Sequence, residues 1–198
     1  MEKKGLSRGW IIFIIILALV LILVFGIIGM YNNFVTLNQN VDSKWSQVEN
    51  QYQVQADKIP NIVSAVSSAV SVETKFVKDV IDARTNFQNA QSQLAKDQAG
   101  VQMNNGISAL VSAVAENYPT LQANKQYTQL IDELAGTQNR IGVERGRYIE
   151  AIQSFNTAVM RFPGSVFAGM FGFSQKDYYH AELSAMKTPV LGAGVLPS

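Results

Sequence analysis

The chain has 198 residues, no cysteine, a formal net charge of +1 and only 16% charged residues. Those figures exclude a disulfide scaffold and any thiolate chemistry, and they leave room for one domain with an appendage. Setting aside Lys3, Lys4, Arg8 and Glu2 leaves 13 basic and 14 acidic residues, so the charge gives no reason to expect phosphate neutralisation and no nucleic-acid partner is expected.

Residues 10–30, WIIFIIILALVLILVFGIIGM, hold no charge and no hydrogen-bonding side chain except the Trp10 indole. A helix of that length crosses a bilayer at about 1.5 Å per residue. A cleaved signal peptide has a shorter apolar region and ends at small residues. Here the exit Gly26-Ile27-Ile28-Gly29-Met30-Tyr31 is bulky, which predicts an uncleaved signal anchor. Lys3, Lys4 and Arg8 precede the run, and the next basic residue is Lys44. By the positive-inside rule residues 1–9 are cytoplasmic and everything after Tyr31 lies on the outer, periplasmic or extracellular, side of the cell membrane.

Residues 31–162 read as a long antiparallel helical bundle, making the chain all-α. Phe34, Leu37, Val41, Trp45, Val48, Tyr52, Ala56 and Ile59 step by three or four, the seam of an amphipathic helix. The seam begins where the membrane run stops, so one helix can continue from the span into the bundle. It then meets Asp57-Lys58-Ile59-Pro60. Either the helix ends here, with Asp57 or Lys58 at the boundary and Pro60 opening the next helix, or Pro60 kinks one continuous rod.

A second seam is read through Val63, Val66, Val70, Val77, Ile81, Arg84, Phe87 and Leu94, with Asp97–Gly100 and Asn104–Gly106 as punctuation at helix ends. Ile107, Leu110, Val111 and Val114 mark a shorter helix closing at Glu116-Asn117-Tyr118-Pro119, because a residue before proline disfavours α geometry. The last long helix carries Tyr127, Leu130, Leu134, Ile141, Arg145, Tyr148, Ile152, Phe155 and Val159, and ends near Phe162-Pro163-Gly164. Residues 163–187 form an apolar appendage beginning GSVFAGMFGF, with packing on the bundle or an oligomer contact preferred over a place at the membrane interface. Residues 188–198 read as an extended tail.

Catalytic constellations are few. The one histidine, His180, has no second histidine for H-E-x-x-H zinc chemistry, and phosphate-binding glycine loops and calcium loops do not occur. Asp79 with Asp82, Asp132 with Glu133, and Glu144 with Glu150 are close in sequence, but solvated helix faces explain them without a site. No catalytic residue, metal ligand or cofactor is implied, and an enzyme is the minority reading. Arg84 and Arg145 fall where a seam wants an apolar residue. A guanidinium there needs a partner, with Glu73, Glu116 and Asp57 as candidates, or a stem laid along the seam with its head in water.

Several of these residues together resemble the LemA family of bacterial membrane proteins. The matching elements are Tyr31-Asn32; the Trp45 helix leading into Ala56-Asp57-x-Ile59-Pro60-Asn61; Ala83-Arg84; Glu116-x-Tyr118-Pro119; Asn139-x-Ile141; Arg145-x-x-Tyr148; Phe155-Asn156; Phe162-Pro163; and Gly172-Phe173. The chain departs from the family pattern at Val54-Gln55, Val72, Gln138 and Ile149, where polar or charged residues are usual. The resemblance implies an N-terminal transmembrane helix followed by a helical bundle, no established catalytic activity, and partnership with membrane proteins such as peptidases or TPM-type proteins. Trp45, Asp57, Pro60, Arg84, Glu116, Arg145, Tyr148, Phe162, Pro163 and Phe173 are therefore structural or interaction candidates. The expected role is a non-enzymatic, single-pass membrane protein acting through protein–protein contacts as a homo-oligomer in the lipid bilayer. The alternative is a sensory or ligand-binding bundle working with a membrane partner.

Overall fold

An unbroken seam decides the first element. In the computed structural model, which describes residues 8–69 and 74–178, α1 runs from Arg8 to Ala69 without interruption. Its apolar first part is exposed along its length, and it is the helix among the described residues long and apolar enough to cross a membrane. Its second part buries Phe34, Val41, Trp45, Val48, Tyr52, Ala56, Ile59, Ile62 and Val66. Pro60 lies inside the helix and is exposed. Because Ile59, Ile62 and Val66 stay in phase with the residues before them, burial on both sides of the proline favours carrying the helix through. The boundary at Asp57 or Lys58 is thereby corrected: Asp57 is an exposed mid-helix residue whose carboxylate accepts from Gln53 Nε2 at 2.8 Å.

Three further long helices complete the bundle: α2 (Thr74–Asn89), α3 (Gln93–Asn117) and α4 (Lys125–Met160). The Ser92 hydroxyl caps α3 by accepting from Ala95 N at 3.2 Å, and Asn124 caps α4 by accepting from Gln126 N at 2.9 Å. Tyr118 closes α3, and a 3-10 turn over Pro119–Ala123 leads to α4. After Met160 come the short α5 (Gly164–Ala168), a 3-10 turn at Gly169–Phe171, and an extended segment to Tyr178. Chain direction alternates along α1 to α4, and α1 lies antiparallel to α4, with Phe34 sharing a cluster with Phe155, and Tyr52 meeting Arg145.

Asp97–Gly100 and Asn104–Gly106, read as punctuation, lie inside α3; the break falls earlier, at residues 90–92. The glycines serve a close approach between helices instead. A Cβ on Gly100 would sit 2.5 Å from Tyr52 Cε1, and one on Gly106 would sit 3.4 Å from Val80 Cγ2. The register of α2 also differs from the sequence reading. Val80, Ala83 and Phe87 are buried, while Ile81 is exposed; Leu94, also exposed, belongs to α3.

Two apolar clusters result. The larger joins α1 beyond Trp45 to α2, α3 and α4. The smaller lies nearer the apolar run and holds Phe34, Val41, Ala151, Ile152, Phe155, Val159 and Ala168. Lys3, Lys4, Val70, Glu73, His180 and the 188–198 tail lie outside the described residues.

Candidate functional site: a polar cluster and the cleft beside it

Where α1, α3 and α4 converge, three polar side chains meet. The Tyr52 hydroxyl donates to Asp97 Oδ1 at 3.4 Å, Arg145 Nη1 donates to the Tyr52 hydroxyl at 3.4 Å, and Arg145 Nε lies 4.0 Å from Asp97 Oδ1. Tyr52 is fully buried and Asp97 is 4% exposed. Burial dominates the electrostatics and lifts the Asp97 carboxyl from 3.8 to about 6, against the opposing pull of Arg145 and of the Tyr52 hydrogen bond. Burial, reinforced by the Asp97 charge, pushes the Tyr52 phenol well above its ordinary value. Tyr148 is pushed up chiefly by burial as well.

Beside the cluster opens a cleft of about 950 Å³ whose wall includes Trp45, Asp97, Gln98, Gln102, Tyr148 and Lys176. The Trp45 and Tyr148 rings meet at 5.5 Å on α1 and α4. The far rim comes from the C-terminal segment, which buried Asn156 holds at two points: its Nδ2 donates to Lys176 O and its Oδ1 accepts from Lys176 N, each at 2.8 Å. Lys176 Nζ lies over the Phe155 ring at 5.5 Å and 3.9 Å from Asp42 Oδ1. Lys96 pairs with Glu49 across α3 and α1. One carboxylate, one guanidinium and one phenol can cross-link three helices and take up a proton near pH 6. Among the described residues no group of His, Cys, Asp and Glu is arranged to hold a metal ion.

Of the partners expected for the two seam arginines, Glu73 lies outside the described residues, and Glu116 and Asp57 are corrected here. Arg145 meets Asp97 and Tyr52, while Glu116 is exposed near the end of α3 and Asp57 bonds within α1. Arg84 answers a different need. Pro60 has no N–H, so it leaves the carbonyl four residues back, that of Ala56, without its helical donor. Arg84 Nε donates to that carbonyl at 2.9 Å. The tolerated proline and the seam arginine are therefore one device.

Trp45 and Tyr148 stand together at the cleft, Phe173 packs half-buried against Phe34 and Phe155, and Phe162 and Pro163 are exposed at the α4–α5 turn. The candidates thus fall into three places rather than one site. Asp97 was missed because Asp97-Gln98-Ala99-Gly100 reads as a turn. The signal that finds it is periodic: Asp97, Gly100, Met103, Ile107, Leu110 and Val114 step by three or four along α3.

A helical bundle continuous with an apolar N-terminal helix defines a class of membrane-associated helical proteins. The model of the LemA family matches residues 44–191, and the chain belongs to that family. It is also similar to magnetosome proteins MamQ 1 and MamQ 2 of Paramagnetospirillum magneticum, each 24% identical over 95% of this chain and 79% of the relative. Magnetosome protein MamQ of Magnetospirillum gryphiswaldense is 24% identical over 81% of this chain and 68% of the relative.

Proposed function

We propose that this LemA-family chain is a single-pass, non-enzymatic membrane scaffold that works through protein–protein contacts, including self-assembly into a membrane-bound oligomer. The observation that carries this reading is the continuity of α1, which serves as apolar anchor and as spine of the bundle with no linker between the two. A bundle tied to its anchor in this way presents fixed faces to neighbours in the same membrane. The low charge of the chain, 16% of its residues, favours contact over independent solvation. Lys3, Lys4 and Arg8 favour a cytoplasmic N-terminus with the bundle outside. The partners are further copies of the chain and, by family resemblance, membrane proteins of the peptidase or TPM type. A place in a magnetosome is what the relatives' names state of those proteins; the proposal for this chain stops at the anchored bundle. Cross-linking of the full-length protein in intact membranes is expected to yield species larger than a monomer, and a pattern of monomers alone would sink self-assembly.

The cleft favours a second reading, a bundle that binds a small ligand beside Trp45, Tyr148 and Asp97. Under it, a thermal-shift screen against small metabolites finds a compound that raises the melting temperature, and that rise is lost on Asp97→Asn.

A further inference from the structure

The part of the bundle nearest the apolar run is almost without charge. After Met30, α1 carries no Asp, Glu, Lys or Arg until Asp42. On the returning side, residues 151–160 and 162–175 carry none either, and Arg161 between them is the exception. These stretches pack on one another. Tyr31 meets Phe171 at 5.2 Å between ring centroids, Phe34 meets Phe173 at 5.4 Å, and a Cβ on Gly164 would lie 3.2 Å from Phe34 Cζ. Phe34 is about 6 Å along the helix axis from Met30, so α5 and the turn after it sit beside the first turns of α1 beyond the apolar run.

This segment leaves large apolar side chains bare. Phe162 is 79% exposed, Met170 is 76% exposed, and Val166 is also exposed. Single apolar residues on a surface need no explanation. Here three large ones fall within one short uncharged segment, and the exposed apolar surface of α1 at Phe25 and Ile28 leads to Tyr31, which touches that segment.

We propose that residues 162–171 form a foot that seats Phe162, Val166 and Met170 in the headgroup–acyl boundary of the bilayer that α1 crosses. The proposal rests on reading α1 as a membrane span. Lipid is the occupant because Tyr31, one residue past the apolar run, touches Phe171 of this segment and because aromatic side chains are favoured at that depth. The uncharged collar fits as well, since a charge held close to hydrocarbon loses solvation. Exposed Arg161, next to Phe162, is placed to meet lipid phosphate. Two points of attachment fix the axis of the bundle relative to the bilayer, where one would leave it free to tilt.

The absence of cysteine allows single labels in the otherwise native full-length chain. Cysteine is placed at Met170 in the foot, at Leu17 in the span and at Ser112 on the far part of α3, each exposed. Each variant carries an environment-sensitive fluorophore in phosphatidylcholine vesicles doped with spin-labelled lipid. The expected result is blue-shifted emission at position 170, quenched more by a spin label near the headgroup than by one near the chain end. Position 17 is quenched by the deep label and position 112 by neither. Water-like, unquenched emission at 170 with quenching at 17 overturns the foot alone, whereas loss of quenching at 17 overturns the anchor beneath it. Blue-shifted but unquenched emission at 170 means that protein covers the face, and it overturns the proposal too.

Discussion

Close to the apolar run, α1 and α4 meet through Phe34, Val41, Ile152 and Phe155, with Phe173 against two of those rings and the Lys176–Asp42 pair at the margin. Farther out the same two helices are joined through Tyr52 and Arg145, with Lys58 reaching Glu133 at 2.9 Å, and α2 and α3 close around them. The contrast follows from what surrounds each region. Close to the apolar run, apolar packing does most of the fastening, and buried Asn156 adds two hydrogen bonds to the backbone of Lys176. Where three helices converge, side chains on their inner faces are shut away from water, and a polar group that is kept there needs partners from the neighbouring helices.

The comparison breaks most readily at its apolar end. Phe155→Ala removes a fully buried ring from the smaller cluster and is expected to cost about 3–5 kcal/mol in chemical denaturation of the full-length protein in detergent. In the outer region Gly100→Ala forces a methyl against Tyr52, whose ring is backed by Phe87 at 5.8 Å. It is expected to cost about 2 kcal/mol even after alanine's helical preference is counted. Measured stability unchanged by that substitution would show that the two helices are not in close contact.

Asp97 gives a smaller effect with a definite sign. Its carboxyl stands at about 6 in the fold against 3.8 ordinarily, so the folded state holds the proton more tightly. Stability contributed by this group is present at low pH and is lost as pH rises from about 4 through about 6. Asp97→Asn should match the native protein near pH 4 and exceed it by up to about 2 kcal/mol above pH 7. A variant less stable at neutral pH would show that pairing with Arg145 outweighs burial.

The smallest expected effect concerns the device at Pro60. Arg84→Met orphans the Ala56 carbonyl and should cost about 1 kcal/mol. In a Pro60→Ala background, residue 60 supplies its own N–H and the arginine should matter little. A double-mutant cycle with no coupling would separate the two residues.

Much of this architecture is legible in the chain. The seam from Phe34 to Ile59 steps by three and four without a gap, and α4 repeats the pattern as far as Val159. Those two series place the spine and its antiparallel partner. What the sequence conceals depends on residues far away in it. Whether glycine ends a helix or admits a neighbour is decided, at Gly100, by Tyr52 on another helix. Arg84 reads as a seam defect until Pro60 is seen to leave a carbonyl facing it. The phase of α2 is hidden because Ile81 is apolar yet exposed, whereas the smaller Val80 and Ala83 do the packing. Asp97 belongs to a cluster drawn from three helices, which no single stretch displays.

The central claim is that one rigid helix carries the apolar run into the bundle. Spin labels on cysteines replacing Ile22 and Gln47, both exposed on α1, test it by pulsed dipolar spectroscopy on the full-length protein in nanodiscs. A continuous helix predicts a narrow distance distribution centred near about 38 Å, at about 1.5 Å per residue. A broad distribution with a clearly shorter mean would place a flexible joint between span and bundle and contradict the account.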